Sequence, residues 1–418
     1  MRDLALLTIL LSFSAFALYR PWLGVLGLAF VGFMHPQGYA LGFMRHFPIY
    51  LVLFGAVSAG LVFQVWRDRS WSSLPWRHLL DWRVLGLATL WLWFAVTSHF
   101  ALLPWEAWDK YVQVLKILPP LVLTLLLIDT REKLFYLLAT LALAILLVAL
   151  KGGYWSLMTG FHDRVYGPPG SAYGDNNSFA VVVSMTLPLL VLWLREARDQ
   201  VLRAVLLGGI ALCYGAVLSS WSRGGMLALG LVTLLLIWHS KHKLLVIPAF
   251  AVLAGGLFVQ LPQAWFGRME TTATYQADES AQSRINVWKI GLDLAEKHPL
   301  TGGGFNAWPV VNEATGGGLD WHSAYVEMLA EHGYVGLVLW LGLLLLTVLH
   351  LYWTGRRGGW VGDYAAMLQA SLLAYLVGGI TLGIAYWELP YHLVAISVLL
   401  SGFARPAGGA GQRNQDFA

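Results

Sequence analysis

Long runs of apolar residues, separated by short polar loops, fill most of the sequence up to about position 404. Read with a window of about 19 residues, they predict membrane helices near 4–34, 48–66, 84–103, 112–128, 132–150, 177–194, 204–219, 224–238, 243–260, 323–350, 364–385 and 391–404. Arg20 and Pro21 interrupt the first run, and its halves fall short of the ~20 residues that one crossing needs. The pattern therefore predicts about 12 transmembrane helices, or thirteen if the first run forms two short helices.

The composition agrees with a protein that is dissolved in lipid. Hydrophobic residues make up 58% of the chain and charged residues 12%, whereas a soluble protein carries about 25% charged residues. This excludes a cytosolic enzyme, a disordered protein and a disulfide-stapled secreted module. Because the apolar runs are unbroken rather than alternating, a β-barrel is also disfavoured. We predict an all-α integral membrane protein, a polytopic bundle.

Basic residues recur at every second predicted loop, and the positive-inside rule places such loops in the cytoplasm. The clusters are Arg67, Arg69, Arg77 and Arg83; Arg131 and Lys133; Arg195, Arg198 and Arg203; Lys241 and Lys243; Arg356 and Arg357; and Arg405 and Arg413. Both termini are then cytoplasmic, and the loops on the outer side are 104–111, 151–176, 220–223, 261–322 and 386–390. Asp3 offsets Arg2, so we expect the N-terminal segment to be retained rather than cleaved as a signal peptide.

One long loop, 261–322, stands out on the outer, periplasmic side. Its stretch Ser280 to Lys297 predicts an amphipathic helix that stops at His298-Pro299, with one face formed by Ile285, Trp288, Gly291 and Leu292. Since long loops with their own structure are usually functional, we expect the site there and at the adjoining helix ends.

The same pattern divides the chain into three parts. We predict N-terminal membrane helices over 1–176, a second membrane domain that includes the long loop over 177–404, and a cytoplasmic tail over 405–418.

Three arginines on the predicted outer side are candidates for binding an anion. Arg223 lies between two apolar runs, beside two glycines, and its planar guanidinium fork suits phosphate oxygens. It could instead be an interfacial arginine that reaches lipid phosphate. Arg284 opens the amphipathic helix, where a solvated position is the simpler interpretation, and Arg164 is a third candidate. Nearby Asp175 has the pattern of a helix N-cap.

His322 is the strongest candidate for acid–base chemistry, because it joins the long loop to an apolar helix. A neutral imidazole, with an ordinary pKa near 6.5, takes a proton from a hydroxyl at neutral pH. On a helix, Tyr325 would share its face, while Glu327 and Glu331 form an i,i+4 pair elsewhere. The sequence contains no phosphate-loop, zinc-protease or nucleophile-elbow motif and no cysteine pair, so a metal-free site that uses arginines remains.

These residues resemble the signature of the O-antigen ligase and polymerase superfamily. The matching elements are Ser222 to Gly225, Ser283-Arg284 with Trp288, His298 to Gly304, and His322 to Tyr325 with Glu331 and Gly333. The stretch from Arg20 to Gly24, with Met34-His35-Pro36 and Phe47-Pro48, is similar to the subgroup called exosortase A-associated O-glycosylation ligases.

The resemblance implies an enzyme, a membrane glycosyltransferase of the GT-C kind in the bacterial inner (cytoplasmic) membrane. It would pass a glycan from undecaprenyl pyrophosphate to an acceptor hydroxyl on a protein, the lipid A core or another glycan. Transfer would occur at the periplasmic face, with inversion and without a metal or other cofactor. Carried over by motif, Arg223, Arg284 and Arg164 would bind the pyrophosphate and His322 would be the general base. Tyr325 and Glu331 would support the site.

Three alternatives stay open at this point. A polymerase of the same superfamily would use the same donor and extend a second repeat unit. A transporter or flippase for an anionic lipid-linked substrate would use the arginines as ligands, although such proteins place their polar groups near the midplane of broken helices. A scaffold would use the long loop as a docking surface.

Overall fold

A computed structural model of the protein describes residues 2–69, 71–270, 279–308 and 320–404. These residues form helices and connecting loops, with no strand among them. The helices are α1 (Arg2–Tyr19), α2 (Pro21–Met34), α3 (Ile49–Asp68), α4 (Trp82–His99), α5 (Pro104–Leu115), α6 (Leu118–Leu127), α7 (Arg131–Met158), α8 (Asn176–Glu196), α9 (Gln200–Leu218), α10 (Arg223–Trp238), α11 (Lys243–Phe258), α12 (Gln263–Glu270), α13 (Glu279–Lys297), α14 (Ala324–Gly355), α15 (Gly359–Gly378) and α16 (Glu388–Ala404). The prediction of an all-α fold is confirmed for the described part of the chain.

Several of these helices are long and apolar enough to cross a bilayer, as expected of a multi-pass membrane protein. Within the described ranges, 7 helices meet this condition if α5 and α6 count as one, and up to 8 if α11 and α12, bent by 111°, also form one span. The first apolar run is two helices, α1 and α2, which meet at Arg20. The total of twelve spans and the orientation in the membrane stay predictions, and the predicted tail, 405–418, lies outside the described residues.

The centre of the bundle is formed by α8, α10 and α15. Gly225 of α10 packs so closely on Ala180 of α8 that a Cβ atom would collide there, and Gly378 of α15 packs in the same way on Val181. Small residues allow helix axes to approach in lipid, where van der Waals contact replaces the hydrophobic drive. In contrast, α11 buries only Leu257, so this helix is loosely packed against the rest of the bundle.

A break in α14 at Gly333 explains the glycine-rich motif that precedes this helix. Gly333 has φ 67° and ψ −173°, a conformation that only glycine adopts readily. The segment 298–304 fills the gap, because Gly303 N–H donates to Ala330 O (2.8 Å), Gly304 N–H to Glu331 O (2.8 Å) and Tyr334 N–H to Pro299 O (2.9 Å). The segment from His298 to Gly304 therefore acts as a clamp on the broken helix.

Two details of the sequence prediction were wrong. The predicted helix 364–385 ends at Gly378, and residues 379–387 form a loop across the end of the bundle. The helix from Glu279 to Lys297 and its stop are confirmed, but its buried face includes Val287, Gly291, Leu294 and Ala295, whereas Leu292 is 44% exposed. The reason is that α13 meets α14 at Gly291, which packs against Val326 and Trp321, and this contact fixes the rotation of the helix.

Candidate active site

Three helices begin at one end of the bundle, and each has a side-chain cap. Asp175 caps α8, as the sequence predicted, Ser222 caps α10 and Ser323 caps α14. Such caps satisfy backbone N–H groups that a helix start leaves without partners. The amide of Asn176 also donates to Ser220 O (2.7 Å), which ties the start of α8 to the turn before α10.

The loop after α15 joins the starts of α10 and α14. Ala324 N–H, at the start of α14, donates to Gly379 O (2.8 Å). Two residues further on, the Thr381 side chain packs against Gly224 so tightly that a Cβ atom would collide with it. His322 and Arg223 therefore lie on either side of the short segment from Gly379 to Thr381.

His322 is half-buried and sits in the loop that enters α14, not on the helix itself. Its φ of 50° is left-handed, so the backbone turns sharply between Trp321 and the Ser323 cap. Burial lowers the pKa of His322 below its ordinary value, and the positive charge of Arg284 lowers it further, while Asp320 and Asp175 act in the opposite direction. The imidazole is therefore neutral at neutral pH, and its neighbours are one arginine and two carboxylates.

Arg284 reaches His322 because of how α13 is packed. The contact of Gly291 with Val326 and Trp321 lays α13 against the first turns of α14, and Val287 and Leu294 are buried in this small interface. Arg284 lies one turn before Val287, at the end of α13 that is nearer to His322. Two residues that are 38 positions apart in sequence thus share one electrostatic cluster.

Arg223 and Arg164 belong to the neighbouring turn, formed by residues 219–222. Arg223 is the first residue of α10. The guanidinium carbon of Arg164 lies 5.8 Å from the centre of the Trp221 ring, a distance typical of a cation–π contact. Ser219 Oγ donates to Asp163 O (2.8 Å), so the backbone next to Arg164 is fixed to the same turn.

The sequence analysis did not single out a fourth arginine at this turn. Arg268, in α12, donates from Nε to Trp221 O (3.1 Å). It is brought there by the 111° bend between α11 and α12. The charge argument that selected Arg284 applies equally to Arg268, because both lie in the same predicted outer loop.

Glu331 and Tyr325 have distinct structural partners. Tyr325 donates to Leu376 O (2.8 Å) and its ring meets Trp340 edge-on at 5.5 Å, which joins α14 to α15. Buried Glu331 accepts from Trp321 Nε1 (3.1 Å) and from the Tyr386 hydroxyl (2.6 Å). Because Trp321 precedes His322, Glu331 anchors the loop that carries the histidine.

A buried polar network continues behind Glu331 and was missed by the sequence analysis. The Tyr386 hydroxyl lies 2.9 Å from His332 Nε2, and His332 Nδ1 lies 2.7 Å from Thr97 Oγ1. No sequence motif links these residues, which come from α14, the loop before α16 and α4. In the described part of the chain, no three His, Cys, Asp or Glu side chains lie close enough to bind a metal ion.

Two family models match parts of the chain that contain the candidate residues. Residues 208–341 match the family model described as O-antigen ligase, and this range contains Arg223, Arg284, His322 and Glu331. Residues 1–198, a range that contains Arg164, match a family of unknown function, DUF5935. No curated protein matches the sequence. Residues 208–341 therefore form a domain of the O-antigen ligase family.

Proposed function

We propose that the protein transfers a glycan from undecaprenyl pyrophosphate to an acceptor hydroxyl at the periplasmic face of the bacterial inner membrane. The superfamily consists of membrane glycan ligases and polymerases, which use lipid-linked glycans. The observation that carries the specific proposal is the position of a neutral His322 beside Arg284, within the matched domain. Subgroup, acceptor and orientation are parts of the proposal.

His322 is the general base in this reaction. As the acceptor oxygen attacks the anomeric carbon, its proton passes to the imidazole, and the bond from that carbon to the pyrophosphate breaks. Attack from the side opposite the leaving group inverts the anomeric configuration. The carboxylates of Asp320 and Asp175 favour the imidazolium that forms, and positioned bases of this kind contribute about 10²–10⁴-fold in rate.

The arginines bind the leaving group. A pyrophosphate that gains negative charge in the transition state is stabilised by fixed donors in a water-poor site, and loss of one such donor costs about 3–4 kcal/mol in other enzymes. Arg284 lies next to the base, whereas Arg223, Arg164 and Arg268 gather at the adjacent turn. Bidentate guanidinium groups suit phosphate oxygens better than lysine does.

An apolar cavity next to this turn supports a lipid-linked donor. The cavity has a volume of about 500 Å³ and lies between α9, α10, α11 and α12. Met226, one helical turn after Arg223, lines the cavity on the α10 side, and Phe250 and Leu253 line it on the loosely packed α11 side. Trp265 closes the end near the arginines and donates to Leu218 O (3.0 Å). A polyprenyl chain held here would present its pyrophosphate to the turn of residues 219–222 with Arg223, Arg164 and Arg268, which we call the arginine turn.

The test is an in vitro transfer assay with the full-length protein in lipid nanodiscs and an undecaprenyl-pyrophosphate-linked glycan as donor. His322→Ala should abolish transfer while donor binding and the melting temperature stay close to wild type. Normal transfer by His322→Ala would overturn the assignment of the base. The product also separates the two reactions of the superfamily, because a single en bloc addition indicates a ligase and a ladder indicates a polymerase.

A further inference from the structure

A second cavity, of about 610 Å³, lies beside the His322 loop and differs in character from the apolar one. Carboxyl groups and aromatic rings line it, among them Asp320, Glu327, Glu331, Trp308 and Tyr386. Asp320 belongs both to this lining and to the electrostatic surroundings of His322. The cavity therefore opens within two residues of the proposed base.

We propose that this cavity binds the acceptor, and that the part of the acceptor bound there is a neutral or amine-bearing sugar. The inference rests on the proposed function and deepens it, since neither the motifs nor the family match identifies an acceptor. It also gives His322 a defined place, with the pyrophosphate of the donor on its arginine side and the attacking hydroxyl on its carboxylate side.

The lining has the two chemical features that a sugar ring requires. Carboxylate oxygens accept O–H donors, and such charge-assisted bonds are about twice as strong as neutral ones. Trp308 and Tyr386 provide aromatic surface for the C–H face of the ring, and each also has a polar end. Trp308 is held edge-on against Trp321 at 5.0 Å, so this surface is ordered by the residue that precedes His322.

Backbone contacts hold two of the carboxyl groups in place. Asp320 Oδ1 accepts from Trp321 N–H (2.7 Å), and Glu327 Oε2 accepts from Ala385 N–H (2.9 Å). Gly383 lines the cavity opposite Asp320, and a Cβ atom there would lie 2.8 Å from Asp320 Oδ2. The absence of a side chain at position 383 thus lets this carboxylate face the cavity.

The charges of the lining select against an anionic acceptor. Asp320 is the carboxylate that faces the cavity next to the base, and Lys110, on the same lining, has its Nζ 5.9 Å from the centre of the Tyr386 ring. A phosphorylated sugar or a uronic acid would meet carboxyl groups at close range, and such like-charge contacts are a common source of specificity. The arginine turn has the opposite sign, so the two substrates are sorted by charge.

Binding of simple glycosides tests the inference without any donor. Saturation-transfer difference NMR on the full-length protein in nanodiscs would compare methyl glucoside, methyl glucosaminide, methyl glucuronide and a serine-containing peptide. We expect the first two to bind and the glucuronide to bind about tenfold more weakly, the size of effect that a single unfavourable charged contact produces. Equal binding of the glucuronide, or binding of the peptide alone, would overturn the proposal.

Matched variants locate the binding. Asp320→Asn keeps an oxygen for Trp321 N–H but loses the charge. It should therefore weaken glucosaminide binding about tenfold and reduce the difference in affinity between the glucosaminide and the glucuronide. Trp308→Ala should weaken both glycosides, whereas Gly208→Ala, at an open position outside the lining of this cavity, should leave glycoside binding unchanged. Unchanged binding in Asp320→Asn and Trp308→Ala, at wild-type melting temperature, would refute the assignment. Intact glycoside binding without transfer to any acceptor would instead count against the proposed function.

Discussion

Glu331 offers the most informative perturbation, because both of its oxygens accept hydrogen bonds from protein groups and one of these bonds anchors the loop of the base. Glu331→Ala leaves the indole N–H of the buried Trp321 without the acceptor that it has now, whereas the Tyr386 hydroxyl keeps His332 Nε2 as a partner at 2.9 Å. A buried donor that loses its partner costs about 1–3 kcal/mol, so the loss at Trp321 predicts about 1–3 kcal/mol of stability. Trp321→Phe removes one of the two bonds without leaving that donor behind, and should cost less.

The transfer rate should show how well His322 is positioned, separately from the stability of the fold. Once Trp321 is released, His322 loses its fixed orientation, and small displacements of a catalytic group cost about 10²-fold in rate. We therefore expect Glu331→Ala to lower kcat with the donor KM unchanged, and Glu331→Gln, which keeps one acceptor oxygen, to lie in between.

The assay combines steady-state transfer kinetics with thermal unfolding in the same nanodiscs. Measuring Glu331→Ala, Trp321→Phe and the double variant gives a double-mutant cycle, and residues in direct contact should be non-additive by about 0.5–3 kcal/mol. Wild-type kcat in Glu331→Ala, or strict additivity with Trp321→Phe, would refute the anchoring role.

The other predictions concern the base, the broken helix and the lipid cavity. Since the pKa of His322 is lowered, the rate should fall at a lower pH than an ordinary imidazole would give. In Arg284→Gln, removal of the positive charge should move this fall to higher pH, and an unmoved profile would contradict the electrostatic contact. Gly333→Ala should destabilise the protein by about 1–3 kcal/mol from backbone strain alone, measured as a lower melting temperature, with Gly342→Ala, where nothing lies within 4 Å of the added Cβ, as the control. Gly230→Phe, where nothing lies within 4 Å of the added Cβ, places a ring at the lining of the apolar cavity and should raise the donor KM, whereas Gly208→Phe, equally open at Cβ but outside the cavity, should not; equal effects would remove the cavity from donor binding.

The sequence predicted those features that depend on local pattern. The apolar runs indicated a helical membrane protein, and the cap at Asp175, the stop after Lys297 and the residues of the family signature were all visible as short motifs. The all-α fold of the described residues and an O-antigen ligase domain over 208–341 are confirmed, whereas the count of twelve spans and the roles of the site residues stay predictions. Motifs identify residues but not the distances between them.

Features that depend on packing between distant segments were not predictable in this way. The rotation of α13, which leaves Leu292 exposed, is set by its contact with Trp321 and Val326. Arg268 reaches the arginine turn through a bend between two helices. His332 and Tyr386, partners beside the break in α14, come from segments 54 positions apart that no local pattern connects.

The N-termini of α8, α10 and α14 lie at the same end of the bundle, and this arrangement has an electrostatic consequence. Aligned peptide dipoles place roughly half a positive charge at each helix N-terminus, and backbone amides there are ready partners for phosphate oxygens. Three such ends at one side of the bundle create a positive potential that neither pH nor substitution of a side chain removes. A variant that lacks Arg284, Arg223, Arg164 and Arg268 together should therefore keep part of its affinity for an anionic donor, and this remainder measures what the backbone contributes.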